Sequence, residues 1–168
     1  VKGIFNDKGL RFIFSPRATT PEIIVDNKPI FKEQKFVKDK DQIIYSGTEG
    51  YVISYGDMLY RCLKAVEEVR KSGINVGLIN KPVLNIVDEE IIKNLGKTNF
   101  VLLVESQNYN TGLGSKFGTL LLERGIKVSY KHLGVTKVGI GGSKEQVSHQ
   151  NLDVEDIKQS IVALSHSK

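Results

Sequence analysis

The sequence predicts an open α/β sandwich of three layers, in which a mostly parallel sheet carries helices on both faces. Three observations predict it. From Tyr51 onward, short apolar runs alternate with stretches whose apolar residues recur every three to four positions. The run Phe100-Val101-Leu102-Leu103-Val104 is apolar throughout, as a strand covered on both faces must be. The helical stretches open on Asp or Gly, and the first of them closes on Gly73, which bounds separate elements rather than one long helix.

Tyr51-Val52-Ile53-Ser54-Tyr55 reads as a strand ended by Gly56, and Asp57 is placed to cap the helix after it. Leu59, Cys62, Leu63, Val66 and Val69 form one face of that helix, and Glu67, Glu68, Arg70 and Lys71 the other. Asn75-Val76-Gly77-Leu78-Ile79 is the next strand. Asp88 caps a short helix carrying Ile91, Ile92 and Leu95. After Phe100–Val104 comes a helix from Gly112 to Arg124 with Phe117, Leu120 and Leu121 inward, then a strand over Ile126–Tyr130. A loop with Gly134, Gly139, Gly141 and Gly142 leads to a last helix capped at Asp153, with Val154, Ile157, Ile161 and Leu164 on one side. Residues 1–50 differ. Their apolar bursts are short and punctuated by Pro16, Pro21 and Pro29, which reads as strands or extended arm.

A chain of 168 residues with 40% hydrophobic and 26% charged residues is long enough for one core of its own. That excludes a wholly disordered chain, a collagen-like fibre and a disulfide-stapled mini-protein. The apolar runs fall far short of the roughly 20 residues that span a bilayer, so no membrane partner is expected. No basic-plus-apolar signal segment opens the chain and Val1 is not an initiator, so a soluble, cytoplasmic piece of something longer is expected. The net charge of +5 is spread through alternating signs, as in Lys38-Asp39-Lys40-Asp41, rather than gathered into a stripe, so no nucleic-acid partner is expected. The single Cys62 lies on an apolar helix face and reads as a small buried residue, not a nucleophile.

The search for chemistry returns little. Gly112-Leu113-Gly114-Ser115-Lys116-Phe117-Gly118 opens a helix after a strand, a place where free N–H groups can meet an anion. Its third Gly comes one residue late for a dinucleotide fingerprint, and the Gly-Lys-Ser/Thr end of a P-loop is missing. The favoured reading is close packing of this helix on its sheet. His132, His149 and His166 stand far apart in sequence, and one cysteine excludes a Cys/His metal site. Glu105 ends a central strand at its carboxyl end, where α/β ligands bind, so Glu105, Gly112 and Gly114 are the candidate crevice residues. A carboxylate bonded to nearby loop N–H groups is the favoured role for Glu105, and a functional acid the other. Arg17, in Ser15-Pro16-Arg17, either binds phosphate bidentately or is an ordinary surface arginine; the residues leave both open. No residue qualifies as catalytic.

In order, these motifs resemble the C-terminal domain of transketolase. Tyr51-Val52-Ile53-Ser54-Tyr55-Gly56, its helix and Gly73-Ile74-Asn75-Val76 resemble the start of that domain, and Asn85-Ile86-Val87-Asp88 keeps the Asp of its Pro-Leu-Asp-like turn. Val104-Glu105 followed by Gly112-Leu113-Gly114 is similar to the family's Val-Glu…Gly-Gly-Ile/Leu-Gly, with Thr111 in place of the first Gly. His132-Leu133-Gly134-Val135 and Asn151-Leu152-Asp153 are similar to its His-Leu-Gly-Val and Gly-Leu-Asp, with Asn151 for Gly. Residues 10–36 resemble the end of the preceding pyrimidine-binding domain and its connector, which divides the chain into 1–37 and 38–168. Phe14-Ser15-Pro16-Arg17 resembles the Ser-Arg pair whose arginine binds the sugar phosphate, with Pro16 inserted.

The resemblance implies that no cofactor binds this piece itself. Thiamine diphosphate and Mg²⁺ would lie between the two upstream domains of a parent enzyme, which transfers a two-carbon ketol unit between sugar phosphates of the pentose phosphate pathway. The piece would brace those remaining domains in a homodimer and would not be catalytic alone. Two other readings stand beside it. One is the same domain from a 2-oxo acid dehydrogenase β-subunit or a deoxyxylulose-phosphate synthase. The other is a free-standing regulatory module that binds a ligand around Glu105 and Gly112.

Overall fold

The computed structural model describes residues 8–16, 19–33, 36–140 and 143–167. Arg17 lies outside the described residues. Near the start, β1 (Ile24–Val25) and β2 (Lys28–Pro29) form a minimal hairpin, followed by the single turn α1 (Ile30–Glu33). Asp26 and Asn27 both sit at positive φ, as a tight hairpin turn of this hand requires.

The main sheet has five strands in the order β3 (Gln42–Tyr45), β5 (Val76–Asn80), β4 (Gly50–Ser54), β6 (Phe100–Asn108) and β7 (Ser129–Val135). Only β3, at one edge, runs antiparallel. Alternation along the strands supplies both faces. Val52, Phe100, Leu102 and Val104 pack against α2 (Leu59–Lys71) and α6 (Val154–Ser165), through Leu59, Cys62, Val66, Ile157 and Ile161. Tyr51, Ile53, Val101 and Leu103 pack against α3 (Glu89–Leu95) and α4 (Leu113–Glu123), through Ile91, Leu95, Phe117 and Leu121. The expected three-layer α/β/α sandwich with a mostly parallel open sheet is therefore the fold. Ile23 is buried in the α2/α6 core, so the hairpin region is anchored to this domain.

Three local expectations need correction. Asp57 does not cap α2; Gly56–Met58 form a 3₁₀ turn, Met58 is the N-cap, and the Asp57 carboxylate accepts from Ser106 Oγ at 2.7 Å. The last strand runs over Ser129–Val135 rather than 126–130, because Ile126 and Val128 pack against the α4 core before the chain enters the sheet. A helix absent from the sequence reading, α5 (Ser143–His149), precedes α6.

Candidate functional site

The carboxyl ends of β4 and β6 mark the point where successive connections leave the sheet in opposite directions, the usual place for a ligand crevice in such folds. Here the point is bridged from within. Tyr55, just beyond β4, donates its hydroxyl to Glu105 Oε2, and Ser106 donates to Asp57. Ser54 Oγ adds a bond to the Val104 carbonyl at 2.9 Å.

Glu105 is fully buried. The pairing of β6 with β7 slips between Val104 and Asn108: four steps on β6 correspond to two on β7, from Leu133 to Val135. That irregularity re-aims the strand end toward α4. Leu113 N donates to Glu105 Oε2 at 2.9 Å and Gly114 N to Oε1 at 2.8 Å, so the carboxylate occupies the N-terminus of α4. His132 Nε2 stands 2.7 Å from Oε1, both groups being buried. Tyr109 stacks on the His132 ring at 4.5 Å between centroids and 12° between planes. Burial pushes the Glu105 carboxyl up, but His132, Tyr55 and the two amides outweigh it and hold it below the usual glutamate range.

The two glycines make this approach possible. A Cβ at Gly112 would land on the Glu105 carboxylate, and one at Gly114 on the His132 ring. The structure brings Glu105, Gly112 and Gly114 together, with each glycine at a point of close approach. His132 was missed as their partner. Its spacing gives no signal, but it lies opposite Leu103 in the β6–β7 register, on the side that Glu105 shares with Leu103.

A second buried polar cluster lies at the carboxyl end of β5. Lys81 Nζ bonds both oxygens of Asp41, at 3.1 and 3.2 Å, and the Ile86 carbonyl at 2.7 Å. Asp88 caps α3 as expected, accepting from Glu90 N and Ile91 N, and also takes Asp41 N and Lys40 Nζ. Cys62 is fully buried, and burial pushes its thiol up to about 12, the opposite of a nucleophile's tuning.

The residues around Glu105 do not fit a diphosphate. The amides that would receive one already hold the chain's own carboxylate. Among the described residues no group of three or more His, Cys, Asp or Glu is placed to hold a metal ion.

Comparison with known proteins decides the family. The profile of the transketolase C-terminal domain matches residues 39–157. This chain belongs to the transketolase C-terminal domain family. It is 27% identical over 164 residues to a Methanocaldococcus jannaschii protein named for a transketolase C-terminal section, covering 96% of this chain and 50% of that one. It is 25% identical to an apulose-4-phosphate transketolase subunit of Actinobacillus succinogenes, over 79% of this chain and 44% of that one. Among solved structures, a split-gene transketolase described as an inactive β4 tetramer superposes with a TM-score of 0.75 at 19% identity, covering 89% of this chain and 48% of that one.

The family also reaches other enzymes. A 1-deoxy-D-xylulose-5-phosphate synthase from a Synechococcus species is 29% identical over 70% of this chain and 18% of its own. The β-subunit of a pyruvate dehydrogenase E1 component from Staphylococcus epidermidis is 26% identical over 74% of this chain and 41% of its own. The chain thus spans about half the length of the first two transketolase-named relatives. Membership of the transketolase C-terminal domain family is established, while the particular enzyme is not fixed by it. Among the described residues no helix is long and apolar enough to cross a membrane.

Proposed function

We propose that this chain is the C-terminal part of a transketolase whose whole assembly transfers a two-carbon ketol unit between sugar phosphates with thiamine diphosphate and Mg²⁺, and that its own task is assembly. The observation that carries this reading is the segment before the domain. Leu10, Phe12, Ile13 and Phe14 are 80, 76, 61 and 83% exposed, and none of them joins the buried core of the domain beside them. Adjacent large apolar side chains left in water mark a surface built for another body. In this reading residues 1–37 are the tail of the preceding pyrimidine-binding domain and the connector after it, 38–168 form the C-terminal domain, and Arg17 binds the substrate phosphate. The assembly is a cytoplasmic homodimer.

Two experiments test it. Native protein isolated from its source with an antibody to this domain is expected to carry the rest of a transketolase, in the same chain or in a separate one, and to turn over pentose phosphates. Isolation as a lone chain of this size overturns the reading. In a thermal melt of this chain alone, thiamine diphosphate with Mg²⁺ is expected to leave Tm unchanged; a clear rise overturns it, because a ligand of the folded state must stabilise that state. The names of the relatives support a second reading, a deoxyxylulose-phosphate synthase or pyruvate dehydrogenase β-type enzyme. Turnover of pyruvate instead of pentose phosphates by the isolated assembly would select it.

A further inference from the structure

A groove of about 330 Å³ runs between α2 and the α5–α6 junction, and none of the residues around Glu105 lines it. Its floor is apolar: Tyr60, Val147 and Val154 are partly buried against the core. Its rim is cationic. Arg61 lies over the Tyr60 ring at 4.5 Å and is tied to the Asp57 carbonyl at 3.2 Å, so its guanidinium is held in place. Lys64, one turn on, is exposed.

Neither cation makes an ion pair among the described residues, although acids are near. Glu67 of the same helix accepts from Tyr45, and Glu68 pairs with Lys158 at 2.8 Å. Asp153, the one carboxylate lining the groove, is committed to the capping box of α6 and to Ser148 Oγ at 2.7 Å. The far wall is fixed as well. Gln150, buried just after α5, accepts from Thr136 N and Lys137 N at 3.0 and 2.9 Å and donates to the Lys137 carbonyl at 2.8 Å, fastening α5 to the loop after β7.

An apolar floor beneath two cations that have no ion-pair partner among the described residues complements an acidic side chain followed by an apolar one. We propose that this groove docks an acidic, apolar-bearing peptide segment of a partner protein, with Arg61 and Lys64 taking its carboxylate and the floor between Tyr60 and Val147 taking its apolar side chain. The groove lies open between helices. It can seat a side chain presented by a larger body, whereas a metabolite site encloses most of its ligand.

The test selects binders to the whole chain from a display library of short random peptides, then measures the best peptide's affinity for variants. The expected result is an enriched pattern of Asp or Glu beside an apolar residue. Binding should weaken at least about tenfold in R61E/K64E, hold in K116E/K127E, which changes net charge equally on another face, and fall with added salt. R61A, a milder change, should weaken it in the same direction, and matching melting curves for all variants confirm that each is folded. No acidic pattern, equal weakening in both double variants, or full affinity in R61E/K64E overturns the proposal. Displacement of the peptide by citrate alone at comparable concentration also overturns it, in favour of a site for small anions.

Discussion

Two carboxylates are buried at the same end of the sheet, and their surroundings treat them in opposite ways. Glu105 faces no fixed cation; its oxygens are met by the amides of Leu113 and Gly114, the Tyr55 hydroxyl and the edge of His132. Asp41 faces the Lys81 ammonium, itself buried. Burial disfavours the charge on both. At Glu105 the donors win and the carboxyl is held below its ordinary range; at Asp41 burial wins over the pull of Lys81 and the carboxyl is pushed above it. Two side chains, His132 and Tyr55, together with two backbone amides therefore accommodate the buried Glu105 charge, whereas at Asp41 one ammonium stands against both burial and the nearby Asp88 carboxylate. Amides at a helix start are already aimed before the carboxylate arrives, whereas an ammonium on a long stem must itself be desolvated.

The difference can be broken in three places. Glu105→Ala removes the acceptor shared by all those donors and leaves them buried without a partner. A loss of about 4 kcal/mol is expected, read from the urea midpoint at unchanged slope. A loss under about 1 kcal/mol would mean that water enters and replaces the carboxylate. Lys81→Met leaves Asp41 buried with no counter-charge, for an expected loss of about 3 kcal/mol. Adding Asp41→Asn should return roughly half of that; if the double variant is no better than the single, Lys81 acts through its bond to Ile86 rather than through charge. Gly114→Ala drives a methyl into the His132 ring and lifts the start of α4 from the sheet, for about 2 kcal/mol. Its near-ultraviolet signal should change too, since the stacked Tyr109 must move with the ring.

How much of this was legible beforehand varied with the range of the interaction. The sandwich was legible because burial on two faces leaves a continuous apolar strand, and α2, α4 and α6 write their inner faces in steps of three and four. Asp88 was legible as a cap because its partners are two and three residues away. The same rule failed at Asp57. The chain makes a 3₁₀ turn there, with Gly56 at φ +58, and the carboxylate serves Ser106 across the sheet instead. The helix α5 was hidden by its polar composition and the glycines before it; side chains such as Gln150, reaching back to Thr136 and Lys137, hold it in place. The site was half legible. Glu105 and Gly114 are nine residues apart and read as neighbours, but His132 reaches them only through the register of a parallel strand pair. Tyr55 joins from just beyond β4, across a sequence gap of fifty residues. Local chemistry is written locally, whereas contacts between strands need the register.

The smallest effect is also the sharpest test of the comparison, because the two carboxylates should respond to acid with opposite sign. Glu105 has its carboxyl lowered in the fold, so it contributes stability that is present above its unfolded value near 4.5 and lost as pH falls through the lowered one. Asp41 has its carboxyl raised, so its contribution is present below its unfolded value near 3.8 and lost as pH climbs through the raised one. In the native chain the two trends partly cancel between about pH 3 and 6. Burial pushes Asp88 up, but Asp41 N, Ile91 N and Lys40 outweigh it and hold it low, so it adds an acid loss shared by the native chain and Glu105→Gln; in Asp41→Asn the repulsion from the Asp41 carboxylate is gone too, which deepens that loss and adds to the steeper fall. Unfolding free energies measured across that window should fall less steeply with acid in Glu105→Gln than in the native chain, and more steeply in Asp41→Asn. Parallel profiles for Glu105→Gln and the native chain would mean that the donors around Glu105 do not favour its charge, and the contrast between several donors and a lone ammonium would not hold.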